Sequence, residues 1–273
     1  MPTIVDRDAT IDLLTATWGA IADLYEGFDE SDYLRPTCLP GWTVKDQLSH
    51  LTGTEEMLAG VPTPEGDVSH LAHLRNDIAR SNEVWIEARR PLPGREVLAA
   101  FRAVTARRLA ALDAMTQADF DAPSWTPAGP DETYGRFMRI RAYDSFLHEH
   151  DTRAAVGAAD REDPAAVRSA LDETAAALGY IVGRRASMPD GSRVRIEITG
   201  AVPTTYLVEV AGRARVVDAF DSNATVSIEM PAMLFLRLTG GRIDAEPYLG
   251  TDITLGGDEV LAEKLATHLA YTI

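Results

Sequence analysis

The sequence predicts an α+β protein, with an up-and-down four-helix bundle over residues 1–159 and a smaller α+β domain containing an antiparallel sheet over residues 160–273. Three observations carry this. Apolar residues recur at steps of three and four as far as about residue 158. Near residue 160 the texture changes to period-two alternation of β-branched residues bounded by Gly, Pro and Asn. A chain of 273 residues that is 45% apolar is also long enough to bury one or two cores.

Each element follows in order. Leu14, Trp18, Ile21 and Tyr25 share one face of a first helix, with Thr10 as its N-cap. YLRPTCLPG, with two prolines and a glycine, cannot continue that helix and is a loop. Thr43 and Asp46 form a capping-box pattern opening the helix VKDQLSHLTGTEEMLAG, which VPTPEGD ends. Leu71, Leu74, Ile78 and Trp85 mark a third helix running to ARRPLPG. Val97, Phe101, Val104 and Leu112 mark its continuation or a separate helix, with a break or kink at Pro91 and Pro93. APSWTPAGP reads as a loop, and residues 133–156 as a long helix with Phe137, Ile140, Asp144, His148 and Asp151 along one face. In the second part, residues 164–182 give a helix. RVRIEITG, TTYLVEVAG and ATVSIEM give antiparallel strands. MPAMLFLRLTGGR is a helix closed by Gly240 and Gly241, DITLGG a short strand, and DEVLAEKLATHLAYTI a C-terminal helix.

Charge narrows the partners. Lys and Arg number 26 against 42 Asp and Glu, a net charge of −16, and no basic stripe interrupts this balance. Phosphate binding draws its affinity from clustered cations, so neither a nucleic acid nor an anionic membrane surface is expected. MPTIVDRDATIDLL lacks a basic stretch followed by an apolar run, and nowhere do about 18 apolar residues stand together. The chain therefore reads as cytoplasmic. Cys38 is the one cysteine, which rules out an intrachain disulfide. A zinc site would have to use His and carboxylate ligands, and sulfur chemistry beyond Cys38 would need an external thiol.

Asp144 and His148, four apart, point the same way from the long helix, on the face that carries Phe137 and Ile140. An ionised carboxylate on a core-facing stripe is costly unless paired, and a divalent metal is one effective partner. On the second helix His50 lies among Val44, Leu48 and Leu51. The bundle can thus offer His50, Asp144 and His148 to one interior point, a set of three ligands that leaves a position open for water or substrate. Spacing alone leaves this open between a metal site and a satisfied His–Asp ion pair. His70 and His73, three apart, could also ligate but read as capping and exposed residues near a helix start. His150 faces away from the cluster, and His268 reads as a residue near a helix C-terminus. Cys38 has no adjoining His and reads as a packing residue rather than a nucleophile.

LRPTCLPGWTVKDQLSHLTGTEEMLAG resembles the entry motif of the DinB-like helical-bundle domain of mycothiol-dependent maleylpyruvate isomerases, and RIRAYDSFLHEHDTRAAVG resembles that family's fourth-helix signature. NDIARSNEVWIEARRPLPG and SWTPAGP also look like a branch of the family. ATVSIEMPAMLFLRLTGGRIDAEPYLGTDITLGGDEVLAEKLATHL is similar to the accompanying sterol-carrier-like domain. The resemblance covers nearly the whole chain. It implies that His50, Asp144 and His148 hold a divalent metal, usually zinc, although the family's isomerase has Glu at the position of Asp144. It makes Asp151 either a support for the metal ligands or a helix-packing partner of Arg153. It implies mycothiol as the cofactor, a metal-bound thiol being readily deprotonated. Addition of that thiolate to a small electrophile would give cis–trans isomerisation or S-transfer. Arg242, in the LTGGR turn, resembles the family's C-terminal-domain arginine for an anionic substrate group, with Arg80 and Arg237 as competitors. The active site is expected at the junction of the two domains. Two other readings stay open: a metal-dependent hydrolase using the same ligands on water, and a noncatalytic carrier of an apolar ligand.

Overall fold

The computed structural model describes residues 2–72, 74 and 76–272. The expectation for His73 falls outside them. The chain divides into two compact units, Met1–Asp160 and Arg161–Ile273.

In the first unit the helices are α1 (Arg7–Glu26), α2 (Glu30–Tyr33), α3 (Val44–Leu58), α4 (Asp77–Glu87), α5 (Gly94–Asp113), α6 (Gln117–Phe120) and α7 (Tyr134–Val156). The long helices α1, α3, α5 and α7 form the bundle: α1 packs on α5 and α7, and α3 packs on α5, α7 and the shorter α4. The stripe Leu14, Trp18, Ile21 and Tyr25 is buried, and it meets Val44, Leu48 and Leu51 of α3 and Val97, Phe101 and Leu112 of α5 in one core. Polar tips within that core find partners, as buried polar groups must. The Trp18 indole N–H donates to Ser145 Oγ at 3.1 Å, and the Tyr25 hydroxyl donates to the Val44 carbonyl at 2.8 Å and contacts Thr152 Oγ1 at 2.8 Å. These contacts fix α1 against the two helices that carry the predicted ligands.

The capping box at Thr43 forms as expected, with Asp46 Oδ2 accepting from the Thr43 N–H at 2.8 Å. Other boundaries differ. The N-cap of α1 is Asp6, whose carboxylate accepts from Ala9 N at 2.8 Å, while Thr10 lies inside the first turn and donates back to the Asp6 carbonyl. The third helix starts at Asp77 because the Asn76 side chain caps it, so Leu71 and Leu74 lie before it. Residues 94–113 form a separate helix. APSWTPAGP is mostly strand: β1 (Pro123–Thr126) and β2 (Gly129–Thr133) form an antiparallel hairpin. Its prolines are tolerated because each strand of a two-stranded ribbon has one edge free of ladder bonds. At the far end of α7, Gly157 takes a left-handed conformation (φ 73°) as the C-terminal cap.

The second unit holds α8 (Pro164–Ala175), α9 (Leu178–Tyr180), α10 (Ala232–Thr239), α11 (Glu259–Ala266) and a five-stranded sheet. Its strands are β3 (Arg193–Thr199), β4 (Thr204–Ala211), β5 (Arg213–Val217), β6 (Val226–Pro231) and β7 (Thr254–Gly257), in the order β5-β4-β3-β6-β7. The sheet is mainly antiparallel, but β3 and β6 pair in parallel, correcting the expectation of antiparallel strands throughout. Helix α10 packs on α8, β6 and β3, and α11 packs on β6 and β7. The expected helix over residues 164–182 is broken after Ala175, where α9 leads into one π-helical turn at Ile181–Arg185. The C-terminal helix ends at Ala266, before His268. Among the described residues, no helix is long and apolar enough to cross a membrane.

The closeness of α4 to α3 rests on Gly53, since a Cβ there would stand 2.5 Å from the Trp85 Cβ. Gly53→Ala is therefore expected to lower stability by about 1–3 kcal/mol through overpacking. A melting temperature equal to that of the wild type would show that α4 does not pack this tightly on α3.

Candidate metal centre

Helix α3 presents His50, and α7 presents Asp144 and His148 one turn apart. Among the described residues these three form a group able to hold a metal ion, with one ligand atom from each within 4.8 Å of the others. His50 Nε2 lies 3.1 Å from Asp144 Oδ2, and His148 Nε2 lies 3.5 Å from Asp144 Oδ1. The two imidazoles thus face the two oxygens of one carboxylate. His50 Nδ1 is buried without a hydrogen-bond partner, which leaves Nε2, the atom facing Asp144, as the polar contact of this ring. The donor set of two imidazoles and a carboxylate fits a divalent transition metal.

The three side chains are held from several directions. Arg141, three residues before Asp144, donates from Nη1 to Asp144 Oδ2 at 2.6 Å. Its Nε donates to Oε1 of fully buried Glu55 at 2.8 Å, and Arg108 of α5 donates from Nε to the other Glu55 oxygen at 3.1 Å. Arg108 reaches the Tyr134 hydroxyl as well, at 2.9 Å. On the other side, Asp151 Oδ2 lies 3.4 Å from His148 Nδ1. Half-buried Trp42, in the loop before α3, lies nearly parallel to the His148 ring with centroids 5.8 Å apart, and its centroid is 5.3 Å from that of His50. Its indole N–H donates to buried Glu83 at 2.9 Å, and Arg90 pairs with the other Glu83 oxygen at 2.9 Å.

These surroundings set the charges. Burial favours the neutral acid of Asp144, but Arg141 and the two imidazoles outweigh it and hold the carboxyl well below its ordinary range. Burial dominates at His50 and pushes that imidazole down, so it stays neutral and available as a ligand. Burial also pulls at His148, yet the charge and hydrogen bond of Asp144 together with Asp151 raise it above its ordinary value. An ionised carboxylate and a neutral imidazole are already the forms that bind metal.

The other sequence candidates lie elsewhere. His70 is exposed, and nearby Asp67 accepts from Ser69 N at 2.9 Å. His150 is buried with its ring on Phe146 and Nδ1 2.8 Å from the Phe146 carbonyl, outside the triad. His268 follows α11 with Nδ1 2.9 Å from the Lys264 carbonyl. Arg80 lies on α4 beside Asp77 at 3.4 Å, and Arg237 lies on α10. Arg242 belongs to the second unit, where its Nη1 donates to the Gly240 carbonyl at 2.6 Å. Cys38, expected to be packed inside, is exposed, and its Sγ donates to Asp151 Oδ1 at 3.3 Å. Glu55, Arg108 and Arg141 escaped the sequence reading. Arg141 alone left a trace there, as a basic residue three before Asp144 on one helix.

Two family models match: the mycothiol maleylpyruvate isomerase N-terminal domain over residues 14–153 and the corresponding C-terminal domain over residues 168–264. Among solved structures, the chain is similar to the crystal structure of the mycothiol-dependent maleylpyruvate isomerase, at 14% identity and a TM-score of 0.61, covering 92% of this chain and 93% of that one. A histidine-to-alanine variant of that enzyme matches at 13% identity and a TM-score of 0.59, with the same coverage. At these identities the likeness concerns the fold. No curated protein matches the sequence.

Two outcomes are expected of variants. Elemental analysis of His50→Ala or His148→Ala should find nearly all metal gone, with Asp144→Asn weakened; full occupancy in all three would refute the site. Glu55→Gln strips two buried guanidinium groups of their shared counter-charge and should cost about 3–5 kcal/mol, read by denaturant unfolding.

Proposed function

The chain belongs to the mycothiol maleylpyruvate isomerase family, and from that premise we propose a metal-dependent enzyme that uses mycothiol as nucleophile for isomerisation or S-transfer on a small electrophile. The observation that carries this is the convergence of His50, Asp144 and His148 on one point. A divalent metal held there, zinc being the ion that suits the donor set, acts as the Lewis acid that favours thiolate over thiol. In this reading residues 1–159 form the metal-binding domain and residues 160–273 a sterol-carrier-like domain.

The chain's own side chains have separate tasks. His50 supplies a neutral imidazole, made so by burial. Arg141 keeps Asp144 ionised and turned toward both imidazoles. Asp151 supports His148 from its far nitrogen. Trp42 shields one side of the imidazole pair from water with an apolar ring. Arg242 pairs with a carboxylate or developing oxyanion of the substrate, a role suited to the planar guanidinium. The nucleophilic sulfur comes from the diffusible cofactor. Cys38 is the one cysteine in the sequence, and its thiol is engaged with Asp151 Oδ1 at 3.3 Å. Dependence on a small thiol suits a reducing cytoplasm.

For isomerisation, thiolate adds to one carbon of an activated double bond while the π pair moves to the conjugated oxygen. Rotation about the resulting single bond and expulsion of the thiolate restore the alkene in the other geometry. Without expulsion, protonation of the addition product leaves an S-conjugate.

Metal-loaded protein should convert a cis-configured activated alkene such as maleylpyruvate, or conjugate an electrophile, in the presence of mycothiol and not in its absence. Equal turnover without thiol would reject the reading. Arg242→Ala should reduce kcat/KM roughly ten- to hundredfold, the value of a charge-assisted hydrogen bond.

A further inference from the structure

We infer that Cys38 is a positioning residue for the metal centre, acting through Asp151 on His148. This deepens the metal-dependent reading above and rests on it. Cys38 lies in the loop between α2 and α3, exposed at the surface of the first unit. Its thiol donates to Asp151 Oδ1 at 3.3 Å. Asp151 is buried on α7, one turn beyond His148, and its second oxygen lies 3.4 Å from His148 Nδ1. The opposite nitrogen of the same ring, Nε2, faces Asp144 Oδ1 at 3.5 Å. A chain of polar contacts thus runs from a surface sulfur, through a buried carboxylate, to a residue of the triad, its last step an electrostatic contact, since His148 Nδ1 is buried without a hydrogen-bond partner.

A carboxylate behind a metal-binding imidazole fixes the ring's orientation and makes its ligating nitrogen more basic. It does so only while its own orientation is fixed, and a carboxylate has two oxygens to satisfy. The thiol engages the oxygen that the imidazole does not face. S–H is a weak donor, so its influence is smaller than that of Asp151 itself. The loop carrying Cys38 also carries Trp42, whose ring lies against His148. This loop is tied to α3 where Gln47 Nε2 donates to Thr37 Oγ1 at 3.1 Å. One short segment therefore bears on the imidazole twice: on its face through the indole, and on its Nδ1 edge through sulfur and Asp151.

The test uses the full chain, with zinc affinity measured by competition against a chromogenic chelator and the visible spectrum of the cobalt(II)-loaded protein as a second readout. Asp151→Asn should weaken zinc about 10–100-fold. Cys38→Ala should weaken it about three- to tenfold and shift the cobalt bands, whereas Cys38→Ser, which keeps a donor, should stay within about twofold of the wild type. Because Cys38 is the one cysteine, thiol labelling of the metal-free chain reads it alone, and Asp151→Asn should accelerate that labelling. Cys38→Ala with wild-type affinity and an unchanged cobalt spectrum overturns the inference while leaving the metal reading intact. Wild-type protein that takes up no zinc overturns both.

Discussion

Glu55 is the constraint on which the site's geometry depends. It is fully buried on α3, five residues beyond His50, and its two oxygens take Arg108 of α5 and Arg141 of α7. Removing three charged groups from water is expensive, and such clusters contribute little net stability. What this one supplies is register. Sliding α3 along α7 by one turn, about 5.4 Å, would separate Glu55 from Arg141 and leave both charges buried without each other. The same slide would carry His50 away from Asp144. The ion pairs and the His50–Asp144 contact are thus satisfied by a single alignment of the two helices, and Arg141 joins them by holding Glu55 with one nitrogen and Asp144 with another.

Elements governed by local pattern were legible in the sequence. The α1 stripe, the Thr43–Asp46 box and the burial of His50 among Val44, Leu48 and Leu51 follow from periodicity and capping chemistry. So did the pairing of Asp144 with His148, which is fixed by a single turn of helix. Features fixed by pairing with distant chain were not legible. Alternation identifies the buried faces of β3 and β6 but carries no direction, so their parallel pairing could not be read from it. The strand β5 was missed because only Gly212 (φ 68°) separates it from β4, and alternation runs on without an obvious gap. Prolines in APSWTPAGP argued for a loop, and only the hairpin's lack of central strands makes them harmless.

The charged interior was the least visible part for a related reason. In α7 the buried residues extend nearly all round the helix from Ala142 to Thr152 and include Ser145, His148, Glu149, His150 and Asp151. A stripe analysis looks for polar residues on one face and apolar residues on the other, and this helix has no such division. Its polar side chains are buried because neighbouring helices bring counter-charges and hydrogen-bond partners to them. Arg141 looks like a surface residue by type, and its burial becomes intelligible only when Glu55, 86 positions earlier, is placed beside it.

The position of Asp144 bears on the chemistry as well as on the fold. The Asp144 carboxylate contacts both imidazoles and Arg141. Its negative charge is already largely matched by the Arg141 guanidinium, while Glu55 matches one charge of the Arg108–Arg141 pair. Arg141 and His50 both approach the same oxygen, Asp144 Oδ2. Of the buried arginines that fix the helices in register, Arg141 therefore also keeps the carboxylate between the two imidazoles ionised, against the burial that would protonate it.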